Sequence, residues 1–118
     1  MIFSLAIYSA PYSSQSSDSA LKFAHALLDS AHTLLRVFFY HDAVHHASEL
    51  TTPPQDDINR SEQWQSLAAK HNIDLVVCIS AAHRRGLISE NIAAGFRLGG
   101  LGQLLEATIL ADRFLIFG

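Results

Sequence analysis

Residues 73–79 read IDLVVCI, a run that is apolar at every position but Asp74 and carries the one cysteine of the chain, Cys78. A strand with one solvated face alternates apolar and polar residues, whereas a strand covered on both faces is apolar almost throughout. The run therefore predicts a central strand of a parallel sheet. IFSLAIY (2–8), LLRVFFY (34–40) and RFLIFG (113–118) have the same character, and a fainter fifth strand is expected around Gly95 to Leu98.

The segments between these runs carry helical spacing. From Asp18 to Ala31, Ala20, Ala24, Leu27, Leu28 and Ala31 recur at three- and four-residue steps, with Ser16 or Ser17 as the expected cap. Asn59 followed by Glu62 makes a capping box for a helix through Trp64, Leu67, Ala68 and His71. Leu101 to Ala111 forms a further helix, and DAVHHASE (42–49) a short helical turn. Pro53-Pro54 sets LTTPPQDD (50–57) in a loop. The alternation predicts an α/β fold of flavodoxin or Rossmann type, a three-layer sandwich with a mostly parallel five-stranded sheet and helices on both faces. No internal repeat or linker interrupts it, so residues 1–118 are expected to form one domain.

The bulk numbers fit that expectation and exclude some functions. Apolar residues make up 49% of the 118 and charged residues 16%, enough to bury a core. A net charge of −3 with neutral histidines argues against direct nucleic-acid binding, which needs a basic field. The amino terminus MIFSLAIYSAP lacks a basic leader and is too short for a membrane span, so it reads as a first strand. A single cysteine forms no internal disulfide and fits a reducing compartment, with the cytoplasm expected.

Cys78 falls where open parallel sheets build sites, at the carboxyl end of a strand. A helix turn starting at Ser80 or Ala81 would aim its first amides back at the sulfur, and His83, Arg84 and Arg85 supply cations nearby. The thiolate is the nucleophilic form, and such groups stabilise anionic sulfur. If strands one and three are neighbours, Tyr12, Ser13, Ser14 and Gln15 of the first loop would face Cys78 across a crevice. The plainer reading makes Cys78 a small hydrophobe at a strand end and HRRG (83–86) a solvated helix terminus.

FFYHDAVHHASELTTPPQDD (38–57), VCISAAHRRG (77–86), GFRLGGLGQLLEATILADR (95–113) and the first loop PYSSQSSDSALKFAHALL (11–28) together resemble the DsrE-like sulfur-transfer family, most closely its TusD branch. The likeness runs in matching order over essentially the whole chain. It implies a sulfurtransferase subunit that relays sulfane sulfur as a cysteine persulfide on Cys78, toward 2-thiolation of the tRNA wobble uridine. It also implies assembly with TusB- and TusC-like subunits in a heterohexamer, a TusA-like donor and a TusE-like acceptor, and no small cofactor. Isolated chains could form homo-oligomers instead. Related DsrE-type subunits act in intracellular sulfur oxidation. Two departures from the family pattern stand out: a short segment between Arg85 and Gly95, and histidines at 41, 45 and 46.

Three further patterns compete. His41, His45 and Glu49 recur at four-residue steps, a spacing that would bind metal if the segment were α-helical. A solvated histidine-rich turn is the expected reading, and no metal is expected there. GGLG (99–102) could cradle phosphate, but it lacks the lysine of a P-loop and reads better as close backbone packing at a helix start. The third pattern is an inert Cys78 in a structural subunit of a complex.

Overall fold

The computed structural model describes all residues, 1–118. Five strands, β1 (Ile2–Ile7), β2 (Thr33–Phe39), β3 (Asp74–Cys78), β4 (Phe96–Gly99) and β5 (Arg113–Phe117), form one sheet in the order β4-β3-β2-β1-β5. Every pairing is parallel. Three of the four near-continuous apolar runs form the middle strands, whose residues Leu5–Ile7, Val37–Phe39 and Leu75–Val77 are buried, while the fourth, RFLIFG, is not a covered strand but an edge strand, β5, with none of its residues fully buried. The expected faint strand is β4, at the edge, where only Phe96 is buried. It is only four residues long and carries Arg97 and Gly99, which is why its signal is weak.

Helices α1 (Gln15–Asp29) and α2 (Arg60–His71) cover one face, with Phe23 edge-on to Phe3 and Trp64 edge-on to Phe39. Helix α4 (Leu101–Leu110) covers the other, where Arg36 Nη1 donates to the Gln103 carbonyl. A short helix α3 (Ile79–Arg84) follows β3 directly, and a 3₁₀ turn (His41–Ala47) follows β2. The three-layer α/β sandwich is therefore as the sequence predicts, with a sheet that is parallel throughout.

The local signals hold at α2, where Asn59 Oδ1 accepts from the Glu62 amide at 3.2 Å. They miss at α1. That helix starts at Gln15 rather than Asp18, and Ser14 is its cap, accepting from the Ser16 amide at 3.1 Å. Ser17 instead turns inward and donates to the carbonyls of Ala10 and Ser14.

The sheet order also corrects the crevice expected between the first loop and Cys78. Strand β2 lies between β1 and β3, so their carboxyl ends stand two strand spacings apart, about 10 Å. Each of the first three connections moves the chain one strand along the sheet, and only the last returns it, to place β5 beside β1. Strand β2 is buried over its last four residues and pairs along both of its edges, with β1 and with β3.

A charged cluster threads the face under α4. Arg36, 8% exposed, donates from Nε to Asp74 Oδ2 at 2.7 Å and lies 2.9 Å from Glu106 Oε1 through Nη1. Arg97 donates from Nε and Nη2 to the same carboxylate at 2.8 and 2.9 Å. Asp74 thus ties β2, β3 and β4 together. Hydrogen bonding from Arg97, and then from Arg36, holds its carboxyl below the ordinary carboxylate range against the opposing effect of burial.

Candidate active site at the end of strand β3

The residues that end the strands line up. Val77 pairs with Phe39 on one side and Leu98 on the other, and Cys78 pairs with Gly99. The next row along the carboxyl edge is therefore Tyr8, Tyr40, Cys78 and Gly99 across β1, β2, β3 and β4.

Cys78 is both the last residue of β3 and the N-cap of α3, with φ −60° and ψ 118°. No loop separates strand from helix, because Cys78 keeps an extended backbone while Ile79 already turns. The first-turn amides of α3 have no carbonyl ahead of them in the helix and lie next to Cys78 in the chain. The side chain makes no capping hydrogen bond, and the residue is 4% exposed within the apolar core. The residues after it are open: Ile79, Ser80, His83 and Arg84 are exposed.

Gly99 decides how close β4 comes to this position. A Cβ on Gly99 would lie 2.7 Å from Val76 Cγ1 and 3.2 Å from Gln103 Oε1, inside van der Waals contact. That is the packing role expected of the paired glycines. The Gly100 amide donates to Gln103 Oε1 at 2.7 Å, which seals the start of α4. Gly99→Ala should therefore destabilise the protein by about 1–3 kcal/mol through overpacking. Gly102→Ala, inside α4 and with nothing within 4 Å of its Cβ, should stabilise by up to about 1 kcal/mol. Urea midpoints of the two variants should move in opposite directions; equal shifts would remove the contact with Val76 as the cause.

Of the basic residues, Arg85 is committed elsewhere. Arg85 caps the far end of α3, donating to Asp42 Oδ1 at 2.9 Å and to the Ala81 carbonyl at 3.0 Å. It anchors the 3₁₀ turn to α3. Gly86, at φ +78°, then takes the left-handed position that ends the helix. The short segment beyond braces itself, since Asn91 Oδ1 accepts from the Ile88 amide and Asn91 Nδ2 donates to the Gly86 carbonyl. It also pairs back to the 3₁₀ region through the Ala93 amide and the Ala47 carbonyl at 2.7 Å. Of the named cations, His83 and Arg84 stay free of side-chain hydrogen bonds and exposed beside Cys78 in sequence.

Tyr12 and Gln15 belong elsewhere. The Tyr12 hydroxyl donates to the Ile58 carbonyl at 2.7 Å and accepts from the Arg60 amide at 3.0 Å, with the Arg60 guanidinium over its ring. It locks the first loop to the start of α2. Gln15 is an exposed first-turn residue of α1.

What the sequence reading missed is the aromatic group between that loop and Cys78. His41 stacks on Tyr40 with ring centroids 4.1 Å apart, and Tyr8 stands edge-on to both, at 5.7 Å from Tyr40 and 5.3 Å from His41. His41 holds a left-handed backbone, φ 50°. The available signal was that IFSLAIY and LLRVFFY both end in tyrosine.

The alternative metal site fails geometrically. The segment is 3₁₀ rather than α-helical, so residues four apart leave a common face, and no three His, Cys, Asp or Glu side chains converge anywhere in the chain. His46 turns inward, 2% exposed, with Nδ1 2.9 Å from the Ala43 carbonyl and its ring against Phe39. No helix is long and apolar enough to cross a membrane.

A parallel five-stranded sheet with one cysteine between strand end and helix start defines a compact α/β domain built around a single thiol. The chain belongs to the DsrE/DsrF-like family, whose model matches residues 1–117. It is 48% identical to the DsrE protein of Allochromatium vinosum over all of this chain and 99% of that one. It is 40% identical to the sulfurtransferase TusD homolog of Vibrio vulnificus, covering 98% of this chain and 96% of the relative. Against the sulfurtransferase TusD of Salmonella newport the identity is also 40%, over 99% and 100%. The first of these alignments runs over 129 residues against 118 here, so that relative carries residues this chain lacks. Among solved structures, the YchN protein of E. coli superposes with a TM-score of 0.83 at 28% identity, over 98% of this chain and 97% of that one.

Proposed function

We propose that this chain is a sulfurtransferase of a sulfur relay and that Cys78 carries the sulfur as a persulfide. The observation that carries the reading is the position of the one cysteine, at the carboxyl end of β3 and the first turn of α3, in a chain whose relatives bear sulfurtransferase names. The Cys78 thiolate attacks the terminal sulfur of a donor persulfide, R–S–SH. A bond forms between Cys78 Sγ and that sulfur, and the donor leaves as a thiolate with the electron pair of the broken S–S bond. No net oxidation occurs, so the step needs no redox cofactor. The α3 amides, with Ser80, His83 and Arg84 at the rim, offer hydrogen bonds and positive charge to the anionic terminal sulfur.

The delivered sulfur goes to the wobble uridine of tRNA through further relay proteins: TusA-like on the donor side, TusE-like on the acceptor side, with TusB- and TusC-like subunits alongside. The net charge of −3 fits a subunit that hands sulfur to proteins rather than to RNA. One observation favours a second reading, service in sulfur oxidation: the identity to the DsrE protein, 48%, exceeds the 40% to the TusD proteins.

Intact-mass measurement after incubation with a persulfide donor tests the carrier role. The wild type should gain one sulfur atom that reductant removes, and Cys78→Ser should gain none. If the wild type gains no sulfur and its folded thiol also resists alkylation, Cys78 is an inert core residue, as its burial would then explain.

A further inference from the structure

Cys78 stands at the N-cap of α3, yet its side chain makes no hydrogen bond to that helix. The register shows where it turns instead. Side chains alternate between faces along a strand, so Asp74, Val76 and Cys78 share one face of β3. That face lies under α4. Asp74 meets Arg36, and Arg36 in turn meets the Gln103 carbonyl and Glu106 of α4. The Cβ position of Gly99 lies 2.7 Å from Val76 Cγ1 and 3.2 Å from Gln103 Oε1. Cys78 is therefore turned toward α4, with Tyr40 beside it on β2 and the bare backbone of Gly99 beside it on β4.

Helix α4 starts two residues after Gly99, and its body packs over β2, β1 and β5, on the far side of β3 from β4. Its first turn must therefore cross the end of β3, where Cys78 points up at it. In that turn the Gly100 amide donates to Gln103 Oε1 at 2.7 Å and the Gln103 amide to the Gly100 carbonyl at 3.1 Å. The Leu101 and Gly102 amides between them have no carbonyl ahead of them in the helix. No acidic side chain stands in the turn to answer the positive end of the helix dipole, and the one charge on α4, Glu106, is held at Arg36.

We infer that the amino-terminal turn of α4, Gly100 to Gly102, is the anion seat of the Cys78 site, holding the charged sulfur of the thiolate and of the persulfide it becomes. The inference rests on the carrier role of Cys78 and names the group that serves it. Cys78 is 4% exposed and its sulfur has no hydrogen-bond partner, so its charged form needs donors close by. Helix α4, ten residues long, aims a longer dipole at the sulfur than the six residues of α3. GGLG (99–102) thereby gains a purpose beyond packing. Gly99 lets β4 close on Val76, which brings the helix start over the sulfur, and Gly102 leaves its side of the turn bare.

Alkylation of Cys78 by iodoacetamide, followed by intact mass at a series of pH values above 6.5, where His46 contributes its full stability, tests the seat without any loaded sulfur. Leu101, 53% exposed in the first turn, accepts either charge without burying it. Leu101→Asp should move the midpoint of the profile up and Leu101→Lys should move it down, each by about half a pH unit, or about threefold in rate at a fixed pH below the midpoint. The same two changes at Leu110, about 13 Å away at the other end of the helix, should leave the midpoint in place. Leu101→Pro deletes one amide and keeps the helix, since proline suits the first helical position, so its midpoint should lie above that of Leu101→Ala. The inference is overturned if the Leu101 variants keep the wild-type profile, or if the aspartate and lysine variants shift it the same way, even where the wild type takes up sulfur. If the wild type takes up none while the two shift it in opposite directions, the seat stands and the carrier role alone falls.

Discussion

Asp74→Ala should cost on the order of 3 kcal/mol of stability, more than any surface substitution in this chain. The reason is what it leaves behind rather than what it removes. Arg36 is 8% exposed and would keep its charge in the sheet with only Glu106 and the Gln103 carbonyl to hold it. Arg97 would lose both of its hydrogen bonds to the same carboxylate. Replacing both members of the pair by apolar residues, Arg36→Met with Asp74→Leu, should recover most of the loss, because Arg36 is the buried partner and a charge of this kind is costly to strand and cheap to omit. Urea unfolding of the wild type, the single variant and the double variant decides it. A single-variant cost below about 1 kcal/mol would mean the cluster is a solvated surface feature. The same carboxyl has a lowered pKa in the folded state, so its contribution is complete above the unfolded value of 3.8 and fades as pH falls through the folded one.

That cluster shows why the sheet was legible from sequence and its electrostatics were not. A run such as IDLVVCI announces a covered strand, because continuous apolar residues have few other uses at that length. The two charges that interrupt LLRVFFY and IDLVVCI, Arg36 and Asp74, look like blemishes in the pattern, yet the register pairs them directly. Register is a long-range property and strand order more so. Nothing in the residues of β1 and β3 forbids their being neighbours, and the expectation that Tyr12 and Gln15 would border Cys78 failed there. Tyr12 found its partners at Ile58 and Arg60 across a sequence gap that no local pattern bridges. Cys78 was legible because its address depends on one strand and the helix that follows it. The competing metal pattern at His41, His45 and Glu49 shows the converse: spacing by four has meaning only on an α-helix, and the turn is 3₁₀.

The buried histidine of that turn, His46, sets an acid limit on the fold. His46 packs its ring against the core residue Phe39, and burial lowers its pKa from 6.5 to about 4, only partly opposed by the hydrogen bond to Ala43. Asp18 on α1 favours the charged form, while Arg60 on α2 and neighbouring His45 disfavour it. Because the folded pKa is the lower one, the unfolded chain binds the proton first. Stability from this group is complete above pH 6.5, falls as pH drops toward about 4, and is flat below that. At about 1.4 kcal/mol per pH unit the loss between pH 7.5 and pH 5 is on the order of 2 kcal/mol. His46→Phe, which keeps an aromatic ring beside Phe39 and carries no titrating group, should flatten that part of the profile. Urea unfolding of both proteins at pH 7.5, 6 and 5 measures the difference. Equal slopes would place the acid sensitivity in another group. The expected loss reaches the sulfur site as well, since the turn that holds His46 is bound to α3 through Asp42 and Arg85. Alkylation of Cys78 should accordingly speed up toward pH 5 relative to a free thiol, as opening of the turn uncovers the strand end behind it.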